Sequence, residues 1–177
     1  MGKQSRPHAR TVLLWFFLAL TVLLTLVMQR LDGPLKTPAS PQGIVSYELA
    51  GNAQTAEAIL RSWDANARLH AALSLGIDYL YMLAYAGLLA LAALSARAHA
   101  SGMMRRAGEL AAWGMGLAAL SDATENYFLW QMLSRGPAES PASIARTAAL
   151  LKFALILLTI LYILLAQFTR SKEAAHD

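Results

Sequence analysis

The chain has no cysteine. This one absence removes disulfides, thiol–disulfide relay chemistry, thiolate metal sites and a cysteine nucleophile. It also excludes the quinone-linked thiol oxidases that a small helical bundle would otherwise bring to mind. Histidine is scarce too. Of the four present, His8, His99 and His176 are expected on the opposite side of the membrane from His70, so neither a multi-histidine zinc site nor a haem site is expected. Gly-rich phosphate loops, a His-Glu-x-x-His pair and a nucleophile elbow are also missing. Charged residues amount to 15%, and the net charge of +4 comes without a clustered basic surface. Nucleic acid is therefore not an expected partner.

What the chain does have is apolar length. Its 177 residues suit a single domain, and 56% of them are hydrophobic, with a mean hydropathy of +0.41. These values belong to membrane proteins. A helix needs about 20 residues to cross the hydrocarbon core, and four runs approach or exceed that: Thr11–Gln29, Ala71–Ala96, Leu110–Ser134 and Thr147–Thr169. The expected fold is an all-α integral membrane protein, a four-span antiparallel bundle forming one membrane domain over residues 1–177. Lys3, Arg6 and Arg10 precede the first run, which is longer than a signal-peptide core and reads as an uncleaved anchor. Arg6 also stands where a myristoylation motif requires Ser or Thr. Arg97, Arg105 and Arg106 lie between the second and third runs, and Arg170 and Lys172 follow the fourth. The positive-inside rule then puts both termini in the cytoplasm of a plasma membrane, by expectation a bacterial inner membrane.

Residues 30–70 connect the first two spans. The segment from Asp32 to Gly43 is rich in proline and glycine, so neither helix nor strand should persist there. Further on, Ala56, Ile59, Leu60 and Trp63 recur at helical spacing, Asn52 is a plausible N-cap, and Glu57 and Arg61 form a pair four apart. Ala53–Trp63 is expected to be an amphipathic extracytoplasmic helix, lying on the outer membrane surface or over the mouth of the bundle, with Trp63 at the interface. Asp64 is expected to cap the second span, and Ser140-Pro141 to start the helix of the fourth.

The most informative residues are polar ones inside the apolar runs. Asp78 lies in the second, Asp122, Glu125 and Asn126 in the third, and Lys152 in the fourth. A charge at membrane depth costs at least a few kcal/mol, which makes each a candidate site residue with a partner to be found. Depth brings them together: Asp78 falls about 10 Å, Glu125 and Asn126 about 12–14 Å, and Lys152 roughly 8 Å below the outer end of their spans. Asp122, Glu125 and Asn126 share one helix face, and Asp78, Tyr81, Met82 and Tyr85 share another. The expected pocket holds three carboxylates, an amide, an ammonium and two phenols, with Glu125 and Asp122 as acid/base candidates and Asp78, Asn126, Lys152, Tyr81 and Tyr85 as binding residues. Two competing readings stand beside it: Lys152 snorkelling to the surface, and the carboxylates serving as packing glue. Glu48, Trp63 and His70 are candidates for a lid. An oxygen-only set would suit Mg²⁺ or Ca²⁺.

Three functions fit these residues. The first is a membrane protein whose acidic pocket binds a cation, a proton or a polar lipid headgroup. A second is a small membrane-embedded acid/base enzyme acting on a lipid-like substrate. The third is an accessory or self-associating subunit that uses the small-residue series Gly108, Ala112 and Gly116.

Overall fold

A computed structural model describes residues 6–98 and 100–173, and every element in it is helical. Lys3, His99 and His176 lie outside the described residues. Four long helices form the body: α1 (Arg6–Asp32), α4 (Ala65–Arg97), α5 (Gly102–Arg135) and α6 (Glu139–Glu173). Two short ones, α2 (Ile44–Glu48) and α3 (Ala53–Ser62), follow a 3-10 turn at Gly33–Leu35. Three stretches are long and apolar enough to cross a membrane: His8–Leu35, Ala65–Arg97 and Glu139–Thr169. α5 is as long as these, and its internal polar residues keep its apolarity lower.

The helices run antiparallel to their neighbours. Up α1, the guanidinium of Arg10, the hydroxyl of Thr25 and the sulfur of Met28 meet Leu91, Tyr81 and Ser74 in turn down α4. α4 packs on α5, and α5 on α6, through connections of only a few residues. α1 rests on α4 and the 3-10 turn. The two helices come close at Gly87, where an added Cβ would meet the Phe17 ring at 2.8 Å.

The two short helices close one end of the bundle, here the capped end. Asn52 caps α3 by accepting from Thr55 N at 2.8 Å, and Asp64 caps α4 by accepting from Ala67 N at 2.7 Å. α3 buries Ala56, Ile59 and Leu60 and exposes the Glu57–Arg61 pair. Beneath it lies an apolar cluster of Leu35, Tyr47, Trp63, Leu129 and Met132, with the small residues Ala67, Ala71, Ala142 and Ala145 completing it from α4 and α6. This packing explains why α4 begins at Ala65 and α6 at Glu139, ahead of the spans expected from hydropathy. Ser140 is consequently inside α6 and does not cap it.

One further expectation is corrected. Trp63 does not face the membrane interface; it is buried in the cap, where its indole Nε1 donates to Leu35 O at 2.9 Å and Ser40 Oγ at 3.1 Å. The small-residue series also divides. Gly108 is pressed against Tyr162 and Arg97, Ala112 packs beside Tyr162, and only Gly116 is open. Its smallness thus serves contact within the chain, because helices that approach closely need small residues at the crossing.

The cap is tied to α1 by Asp32, whose Oδ1 accepts from Ile44 N at 2.7 Å. Gly43 stands at φ 60, a left-handed conformation that favours glycine. A Cβ there would also run into the Asp32 carboxylate.

Candidate functional site

Helical periodicity sets one face of α4 (Asp78, Tyr81, Tyr85) against one face of α5 (Asp122, Glu125, Asn126), and α6 delivers Lys152 between them. Asn126 Nδ2 donates to Asp78 Oδ2 at 2.6 Å, and Tyr85 Oη donates to Asp122 Oδ2 at 2.7 Å. The Lys152 ammonium donates to Asp122 Oδ1 at 3.0 Å and stands 2.8 Å from Glu125 Oε2. Lys152 is only 6% exposed, so the ammonium points into the bundle and the snorkelling alternative does not hold. Glu125 is fully buried. Its Oε2 meets Lys152 without hydrogen-bond alignment, and its Oε1 has no hydrogen-bond partner among the described residues.

A fourth carboxylate joins these from the cap. Glu48 ends α2, and its Oε2 lies 3.7 Å from the same ammonium, with no hydrogen-bond partner among the described residues. Burial pushes the Glu48 carboxyl above the ordinary carboxylate range, Lys152 pulls it back, and Asp122 pushes it up again. Next to it, burial raises the Tyr47 phenol, with Arg68 opposing. That phenol donates to Leu129 O at 3.2 Å, a structural bond.

The cluster forms one wall of a cavity of about 440 Å³. Glu48, Asp78, Asp122 and Lys152 supply the polar side, and Leu88, Leu89, Ile156 and Phe153 much of the apolar side. α1 contributes Thr21 and Met28. Tyr81 also lines the cavity, and its hydroxyl accepts from Thr25 Oγ1 at 3.1 Å, joining α4 to α1. The Thr21 hydroxyl oxygen is buried without a partner among the described residues.

The sequence-expected residues thus converge with two exceptions of placement. Trp63 belongs to the cap cluster. His70 Nδ1 lies 2.9 Å from Asn66 O on its own helix and takes no part in the bonds of the polar cluster. Of the three lid candidates only Glu48 reaches the site. Among the described residues no group of three carboxylates or imidazoles is arranged to hold a metal. The point on which Asp122, Glu125 and Glu48 converge is taken by the Lys152 ammonium.

Sequence reasoning missed α1 altogether as a wall of the cavity. The available signal was Thr21 and Thr25, two hydroxyls four residues apart in an otherwise apolar run, and therefore on one face. No protein-family model, no curated protein and no solved structure matches the chain. Function is accordingly read from the site's own chemistry.

Proposed function

We propose that this protein crosses the plasma membrane four times, with both termini in the cytoplasm, and binds a positively charged group in an acidic cavity in the outer half of its bundle. The observation that carries this reading is the count of charges in and behind the cavity wall. Three carboxylates, Glu48, Asp122 and Glu125, lie within 3.7 Å of one ammonium, and a fourth, Asp78, pairs with Asn126; Glu48, Asp78 and Asp122 line the cavity, with Glu125 buried behind them. If all were ionised, three negative charges would be left over in a space cut off from bulk water. Such an excess is too costly to persist and is neutralised by bound protons or by an incoming cation. α5 counts as the fourth span because its polar residues face this cluster and its other faces carry exposed Leu110, Trp113, Leu117 and Leu120.

The test is the melting temperature of the purified protein in mild detergent, with inorganic cations and organic amines added one at a time. Cationic ligands should raise the melting temperature of the wild type, their neutral isosteres should not, and Glu125→Gln with Asp78→Asn should abolish the response while leaving a folded protein. A response to no cation across the panel would overturn the reading.

One observation favours a second reading, membrane-embedded acid/base catalysis. Tyr85 and Lys152 both donate to Asp122, and Glu125 stands 2.8 Å from the same ammonium, which gathers ionisable groups of the kind acid/base catalysis uses. Turnover of a lipid-like substrate that disappears in Glu125→Gln would distinguish the two.

A further inference from the structure

The cavity does not end at its polar wall. α1 and α6 both pack on α4, and between them two separate voids, of which the acidic cavity is the upper, lie in line along α4 as an interrupted groove. One turn below Leu88, a second void of about 280 Å³ opens, with Leu14 on α1, Ala92 and Ser95 on α4, and Ile163 and Ala166 on α6. The same three helices therefore wall both voids, and at the rim of the upper one Phe153 is exposed. From Asp78 to Ala92 the floor descends about 21 Å, the length of an extended chain of about sixteen carbons. Head chemistry is equally specific. Glu48 Oε2 and Thr21 Oγ1, both on residues lining the upper cavity, are acceptors without hydrogen-bond partners among the described residues.

We infer that the ligand is a single-chain amphiphile with a protonated amine head, which reaches the site sideways from the bilayer between α1 and α6. The inference rests on the cation-binding reading above and adds the ligand's tail and its route. An alkylammonium head brings positive charge to the carboxylates and N–H donors to the unpaired oxygens, whereas a quaternary head brings no donor. The tail lies along Tyr85, Leu89 and Ala92. A long chain also concentrates the ligand in the membrane from which the groove is reached, more so with each methylene.

The experiment compares hexadecylammonium, octylammonium, butylammonium and hexadecanol as additives in thermal melts of the full chain in maltoside micelles, for the wild type and for Ala92→Leu, which fills the lower void. Hexadecylammonium should raise the wild-type melting temperature by on the order of 5 °C, octylammonium by less, butylammonium least, and hexadecanol not at all. Ala92→Leu should lose the response to hexadecylammonium while melting alone within a degree or two of the wild type. An equal response to butylammonium would leave the acidic site standing and overturn the tail and its route. An equal response to hexadecanol, or none to any amine, would overturn the acidic site as well. The graded series on the wild type decides the matter even if Ala92→Leu does not fold, since a response independent of chain length sinks the groove.

Discussion

Two buried regions lie within a few turns of each other at the capped end, and they treat polar atoms in opposite ways. In the cap, the Trp63 indole has two acceptors, Ser40 Oγ donates to Leu35 O, and the Tyr47 phenol has Leu129 O. In the polar cluster, Glu125 Oε1, Glu48 Oε2 and Thr21 Oγ1 have no hydrogen-bond partner among the described residues. The cap cluster therefore satisfies its buried polar groups, while Arg10 Nε and Tyr162 Oη, farther down the bundle, are also without a hydrogen-bond partner among the described residues. Because an unsatisfied buried group costs about 1–3 kcal/mol, those left open beside the cavity are the natural places for a ligand to repay the cost.

The comparison is broken most forcefully at Lys152. Lys152→Met removes the ammonium that faces Glu48, Asp122 and Glu125, and breaking a buried ion pair from one side costs about 3–5 kcal/mol. The expected outcome is a large loss of folded yield and melting temperature in detergent. On the cap side, Trp63→Phe keeps most of the ring and removes the donor, so a loss of about 2 kcal/mol is expected, read as a lower melting temperature with cation response intact. Asn52→Ala should cost about 1 kcal/mol through the lost cap of α3, again without touching ligand response. A cation response changed by either cap variant would erase the distinction between the two regions.

The smallest effect sharpens the comparison by pH. Burial raises the folded-state value of Glu48, so its protonated form favours the folded protein. Its contribution is fully present below the unfolded value near 4.5 and is lost as pH rises through the raised folded value. Glu48→Gln, which is never charged, should flatten the decline of melting temperature with rising pH and melt as well as the wild type at acid pH. An unchanged slope would show that Glu48 is not the titrating group.

Much of this was legible in the sequence, for definable reasons. Asp78, Asp122, Glu125, Asn126 and Lys152 could be brought together because a helix fixes both depth, by its rise, and direction, by its period. The caps Asn52 and Asp64 were legible because the signal is local. Glu48 could be suspected but not placed, since a five-residue helix after a proline-rich turn offers no period to read. Trp63 was misplaced because an apolar helix face looks the same whether lipid or protein covers it. At Gly108 spacing shows only that helices approach closely, and a residue that meets it there is Tyr162 on α6 of the same chain.

Asp32 gives the bundle a mechanical property. It is the last residue of α1, and its carboxylate grips the first amide of α2, one turn before Glu48. An outward swing of α1 wide enough to part it from α6 would pull on α2 and stretch the Glu48–Lys152 pairing. Asp32 is thus the strut that holds the wall supplied by α1 and the acid supplied by α2 in one frame.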